Sequence, residues 1–230
     1  MAPKRIVLMV EGEGDVESAP LITKRLITDY SNEAWNSVFV DEFPIRVGDV
    51  TKLVKNGYSN WRRKLRLCLK RPNLGGVILL LDGDIRRVNG VDFCPVNVAR
   101  VLAKEARGTG AGYLFSLGVT FALQEFETWG IASCESLSGF NFSDGLGMNK
   151  DLAPPNDNLE AAPRNAKGWI SDNMTSGSYS ETRHQVELAK ALDFDEIRSR
   201  SIRSFARFEN SIAQLVSAIA SNQHVSTPAT

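Results

Sequence analysis

Five carboxylates in this chain stand where strands ought to end. In "RIVLMVEGEGDV" (5–16) an apolar, β-favouring run passes directly into Glu11, Glu13 and Asp15, separated by two glycines. In "GGVILLLDGD" (75–84) the clearest strand of the chain passes into Asp82 and Asp84. Crowded carboxylates repel one another and raise each other's pKa. A hard divalent cation removes that cost. Mg²⁺ or Mn²⁺ takes a few carboxylates together with water and phosphate oxygens, so phosphoryl chemistry is the natural use of such a cluster. The bland alternative is a solvated acid at each strand end, and a lone DGD is also an ordinary turn. Two strands ending alike favour the metal.

Cations that could meet a phosphate are local. Arg86 and Arg87 follow the DGD at once and can act as bidentate phosphate donors. "NWRRKLRLCLKR" (60–71) carries Arg62, Arg63 and Arg66 beside an apolar stripe of Trp61, Leu65 and Leu69. That pattern is either a solvated helix face or a track for a nucleic-acid backbone. Lys167, Arg203 and Arg207 are weaker candidates. In "QEFETWG" (124–130), Glu125 and Glu127 are either further site acids or the wet side of a helix whose Phe126 and Trp129 face the core. His184 reads as a helix-start or helix-surface residue. No Ser-His-Asp or Cys-His set is supported by spacing. "EGEG" lacks the Lys and Ser or Thr of a phosphate-binding P-loop, and no dinucleotide fingerprint is present.

The elements that must position these residues can be read from hydrophobic pattern. Residues 5–10 and 75–84 are continuously apolar, as strands buried on both faces are. Residues 15–30 read as a helix with Pro20 near its start, 37–47 as a strand placed at an edge by Pro44, and 49–71 as a helix interrupted at Gly57. A helix from about 95, a strand at 112–123 and a helix beginning near 124 follow. Strands alternating with helices predict an α/β fold with a mainly parallel sheet flanked by helices. Active sites of such sheets lie outside the carboxyl ends of the strands, and the acids fall there.

After about Ser133 the texture changes to a Gly-, Pro-, Asn- and Asp-rich segment, then two helices in "HQVELAKAL" and "SFARFENSIAQLVSAIA". The expected division is a catalytic domain at 1–133, a loop-rich then mainly helical C-terminal extension at 134–220, and a flexible tail at 221–230. The 230 residues suffice for a sizeable core, with 43% hydrophobic and 23% charged residues. A formal net charge of +0 excludes a uniformly basic nucleic-acid binder, so contacts must come from patches. Three scattered cysteines imply neither a disulfide framework nor a metal knuckle, and suit a reducing, cytoplasmic compartment. No run is long enough to span a membrane. The pattern leaves a homo-oligomer open.

The segments "VLMVEGEGDVESAPLI" and "GVILLLDGD" together resemble the Toprim pattern, a Glu after the first strand and a DxD after a later one. More narrowly, "VEGEGDVE", "LLLDGD", "FALQEFETWGIAS" and "ETRHQVELAKALD…SRSIRSFARF" are similar to a bacterial Toprim-like family, domain of unknown function 4276. The resemblance covers most of the chain. It implies a Toprim-like catalytic domain with Glu11 as the catalytic or metal-binding acid, Asp82 and Asp84 as the metal-binding pair, and Glu127 as a further ligand. Such relatives often carry VEGxTE. Here Gly14 and Asp15 stand in place of Thr and Glu, and Asp15 retains the charge one methylene shorter. The implied activity is Mg²⁺- or Mn²⁺-dependent hydrolysis of DNA or RNA phosphodiesters, as in overcoming-lysogenization-defect nucleases, which work beside an ABC-type ATPase in phage defence. The alternative is a non-catalytic regulatory subunit of an ATPase complex.

Overall fold

The structure, a computed structural model, describes residues 2–30, 36–162 and 164–229. Strand β1 (Lys4–Val10) leads into helix α1 (Asp15–Tyr30), and short strands β2 (Val38–Val40) and β3 (Ile45–Arg46) precede α2 (Val50–Leu69). Strand β4 (Leu74–Asp82) is followed by a two-strand hairpin, β5 (Arg87–Val88) and β6 (Val91–Asp92), then by α3 (Pro95–Ala106) and β7 (Ser116–Ala122). The remainder comprises α4 (Glu127–Ala132), α5 (Cys134–Leu137), α6 (Ala166–Asp172), α7 (Glu181–Ala191), α8 (Phe194–Ser199), α9 (Arg203–Ala220) and β8 (Ser226–Thr227). The fold is α/β.

The main sheet runs β2-β1-β4-β7-β8, with β3 also on β1, and every pairing in it is parallel. Successive side chains of a strand face opposite ways, and both faces are covered. Ile6, Leu8, Val10, Ile78 and Leu80 pack with residues of α1, α4, α7 and α9. Val7, Met9, Val77, Leu79 and Leu81 pack with α2 and α3. This is why β1 and β4 read as unbroken apolar runs.

The C-terminal helices share the first of these cores. Phe205, Phe208, Ile212 and Leu215 of α9 belong to the cluster that contains Ile6 and Leu8. Trp129 stacks on Phe208 with ring centroids 5.4 Å apart and donates its indole N–H to Ser204 Oγ at 3.0 Å. The irregular stretch between α5 and α6 is pinned by buried Phe142, Met148, Leu152 and Leu159. Among the described residues no helix is long and apolar enough to cross a membrane, and all three cysteines are free.

Several local expectations need correction. Residues 37–47 are not one strand: β2 and β3 are separate pieces on either side of a bend at Glu42 and Phe43, both pairing with β1. The strand expected at 112–123 is shorter, because Gly110 and Gly112 take positive φ in the turn before it. Residues 221–229 are not wholly frayed, since Ser226 and Thr227 add a parallel edge strand to β7. The interruption of α2 does fall where it was expected: Gly57 lies inside a break at Lys55–Tyr58, where Asn56, Gly57 and Tyr58 all have positive φ.

Candidate active site

The sheet has a switch point between β1 and β4. From β1 the chain crosses through α1 to β2 on one side; it then returns through α2 to β4 on the other. Helices leaving on opposite faces open a crevice at the carboxyl ends of these two strands. Val10 pairs with Leu80, so Glu11 and Asp82 leave the two strands within one residue of the same level. The amide of Asp82 donates to Glu11 Oε2 at 3.3 Å.

Each neighbouring acid is held by a different device. Asp15, the first residue of α1, accepts from the amide of Gly12 at 2.8 Å and from Gln185 Nε2 of α7 at 2.8 Å. Asp82 Oδ1 accepts from the amide of Phe126 at 3.0 Å, which docks the start of α4 on the end of β4. Glu127 is 1% exposed; its Oε1 accepts from the Tyr179 hydroxyl at 2.9 Å. Its Oε2 is buried with no partner among the described residues. Asp49 caps α2 by accepting from the Thr51 amide. Gly83 does not take positive φ; it is required by close approach, since a Cβ there would sit 3.0 Å from the Ala122 carbonyl.

One cation enters this cluster. Lys167 of α6 pairs with Glu125 at 3.4 Å and with Glu181 at closer range. Glu125 also caps α6, accepting from the amides of Ala166 and Lys167 at 3.0 and 3.3 Å. Two adjoining cavities, of about 230 and 170 Å³, both have Glu11, Asp82 and Lys167 in their walls. Asp49, Asp84 and Glu125 complete the first; Asp15, Glu127 and Gln185 contribute to the second.

The electrostatics follow from this packing. Burial pushes the Glu11 carboxyl up to about 7, with the Asp82 amide pulling the other way and Asp15 and Asp49 adding to the rise. Desolvation, then repulsion from Asp15, Glu127 and Glu11, raises Asp82 well above the carboxylate range. Burial likewise lifts Glu127 to about 7 although Lys167 opposes it. Burial works against the Lys167 charge, but Glu127, Glu181, Asp82 and Glu125 more than offset it and raise its pKa. The site thus holds more acid than its lysine neutralises, at a cost that a cation would relieve.

An unpartnered, buried carboxylate oxygen on Glu127, next to desolvated Asp82 and Glu11, is a donor set that Mg²⁺ suits, because that ion needs only one or two carboxylates and keeps its waters. It is no preformed cage: among the described residues no three His, Cys, Asp or Glu side chains are gathered as ligands.

Glu11, Asp15, Asp82 and Glu127 line one cavity. Asp84 lines the mouth but turns to Arg164 at 3.0 Å. Glu13 leaves the cluster and pairs with Arg46 on the surface. Arg86 is exposed just beyond the mouth, and Arg87 is tied to Asp92 across the hairpin at 3.1 Å. Arg62, Arg63 and Arg66 are not brought to the site. They lie in the far half of α2, whose N-terminus lines the cavity. Arg62 bridges to Glu105 of α3 at 2.8 Å and Arg63 to Asn60 at 2.8 Å, while Arg66 is exposed and forms no ion pair among the described residues.

Sequence reasoning undervalued Lys167 and passed over Gln185, Glu181, Tyr179 and Asp49. A signal existed for two of them: Glu181 and Gln185 are four apart in "ETRHQVELAK" and therefore share a helix face. His184 is not a surface residue. It is 1% exposed, accepts from the Ser180 amide through Nδ1 at 2.9 Å, and so donates from Nε2 to Asp144 at 2.9 Å.

A family model described as Domain of unknown function (DUF4276) matches residues 10–213. No curated protein and no solved structure matches. The matched stretch runs from the end of β1 into α9 and contains every acid of the crevice together with Lys167. The chain belongs to the DUF4276 family.

Proposed function

We propose that this protein is a metal-dependent phosphodiesterase of Toprim type that hydrolyses nucleic acid. The observation that carries the reading is the placement of Glu11, Asp82 and Glu127 around one crevice at the switch point of a parallel sheet. In this reading Asp82 and Glu127 Oε2 hold a Mg²⁺ or Mn²⁺. Bound there, the cation supplies Lewis-acid polarisation of a phosphoryl oxygen and a water of lowered pKa. Glu11 keeps Oε2 on the Asp82 amide and presents Oε1 to accept a proton. Its raised pKa, near neutrality, suits a general base. Tyr179 fixes the Glu127 carboxylate by donating to Oε1, which leaves Oε2 without a protein partner among the described residues. Lys167, the cation already inside, neutralises a phosphate oxygen. Asp84 stays with Arg164 at the mouth, and Glu127 takes the ligand role that the DxD pattern would give it. Arg86, exposed beside the mouth, meets an adjacent phosphate.

The resemblance to overcoming-lysogenization-defect nucleases extends the proposal to a cytoplasmic effector that works with an ABC-type ATPase in phage defence. A second reading has its own support. Lys167 already offsets part of the acid, and among the described residues no three acids are gathered as ligands. A non-catalytic subunit that keeps this shell and acts through an ATPase would look the same. The test is cleavage of single- and double-stranded DNA and RNA with Mg²⁺ and Mn²⁺, mononucleotide esters competing, the ATPase present and absent. Metal binding without cleavage in every arm favours the second reading.

A further inference from the structure

The molecule has another cavity, of about 220 Å³, on the far side of β7 from the acid crevice. Its walls are α3, the end of β7, the first turns of α9, and β8 with Pro228. Ala99, Val119, Phe121 and Leu123 make its interior apolar. The Thr120 and Ser204 hydroxyls in its wall are already used, donating to the Leu79 carbonyl at 2.7 Å and accepting from Trp129 at 3.0 Å.

At its rim the charge is of one sign. Arg203 and Arg207 lie four residues apart on the exposed side of α9 and both line the cavity. Neither forms an ion pair among the described residues. Asn210, the next turn along the same helix face, and Thr227 of β8 add hydrogen-bonding groups beside them. Two guanidinium groups one turn apart, above an apolar pocket, present the forks that bind an anion bidentately.

We propose that this cavity is a binding site for a small phosphate monoester with a nucleoside-sized body, its phosphate between Arg203 and Arg207 and its body against Phe121 and Leu123. A monoester carries nearly two negative charges at neutral pH and so matches two guanidinium groups, where a carboxylate matches one. Asn210 and Thr227 suit a body with polar edges better than a bare alkyl chain. Because Thr227 and Pro228 form one wall, the ligand also holds β8 in place. The proposal does not rest on the phosphodiesterase reading, since the cavity shares no residue with the acid crevice.

The experiment is calorimetric titration of the whole chain in EDTA with AMP, adenosine, inorganic phosphate and octanoate. AMP is expected to bind at least about tenfold more tightly than adenosine or phosphate alone, since both halves of the site must be filled. The Arg203→Ala/Arg207→Ala double variant, whose exposed positions leave folding intact by thermal melt, should weaken AMP at least about tenfold. Asp82→Asn should leave AMP binding within about twofold, because the acid crevice is separate. No heat with millimolar AMP, unchanged AMP affinity in the double variant, loss of binding in Asp82→Asn, or octanoate binding in place of AMP would each overturn the proposal.

Discussion

The backbone N–H of Asp82 donates to Glu11 Oε2 across 3.3 Å. This bond ties the ends of β1 and β4 together at the point where two carboxyl groups would otherwise separate. It also leaves both acids facing one crevice, which makes the charge of the site depend on pH and on any bound cation.

The pH dependence has a definite sign. A carboxyl whose folded pKa stands above its unfolded value favours the folded state when protonated. That stability is fully present below the ordinary value of 4.5 and is lost as pH rises through about 7 for Glu11 and Glu127. The metal-free protein should therefore melt at a higher temperature near about pH 5.5 than near about pH 8. Glu127→Gln should flatten that difference. Stabilisation by Mg²⁺ or Mn²⁺ should run the other way and be larger at the higher pH. Thermal melts in EDTA and in excess metal measure both.

Asp82→Asn removes repulsion from Asp15, Glu127 and Glu11 while an amide oxygen can still accept from Phe126. In EDTA the variant should be at least as stable as wild type, while the metal-dependent rise in melting temperature disappears. A loss of more than about 3 kcal/mol in EDTA, of the size seen when a buried network breaks, would make Asp82 a structural residue instead.

Gly14 lets α7 approach α1. A Cβ at that position would collide with the Gln185 side chain and lie 3.1 Å from Glu181 Cβ. Gly14→Ala should cost about 1–3 kcal/mol in denaturant unfolding, the range of an overpacked contact. In a Gln185→Ala background most of that cost should vanish, because the obstructing side chain is gone. Additive costs would show that the glycine matters for another reason.

The arginines should separate into two kinds. Arg62→Ala breaks the part-buried bridge to Glu105 and should cost about 0.5–1 kcal/mol of stability. It should leave the salt dependence of nucleic-acid binding alone. Arg86→Ala should leave stability unchanged and reduce the slope of log affinity against log salt by about one. Binding isotherms at several salt concentrations on unrelated oligonucleotides distinguish them.

The layered fold was legible because β1 and β4 are buried on both faces and carry no polar interruption until Glu11 and Asp82. Their shared edge followed on condition that the two strands are neighbours, and β1 and β4 do pair. The polar shell of the site was not legible, for it depends on contacts far apart in sequence: Gln185 with Asp15, Arg164 with Asp84, Lys167 with Glu125. Strand β8 was hidden for a related reason. Its two residues sit in a polar segment, and only pairing with Leu117 and Gly118 of β7 makes them a strand. His184 read as a helix-start or helix-surface residue; it does sit in the first turn of α7, but its burial was hidden because its partner, Asp144, comes from an irregular loop that no periodicity marks.

The most direct test of the account is the Mn²⁺-dependent cleavage rate of a labelled oligonucleotide by the purified chain, compared across three variants. The account predicts cleavage by wild type that EDTA abolishes. It predicts a loss of about a hundredfold or more in Asp82→Asn and Glu11→Gln, the usual scale for removing a catalytic acid or base, with oligonucleotide binding retained. Asp84→Asn, at a carboxylate that lines the mouth and is held by Arg164, should stay within about tenfold of wild type. Cleavage that persists in Asp82→Asn, or no cleavage of DNA or RNA by a wild-type chain shown to bind Mn²⁺, would contradict it.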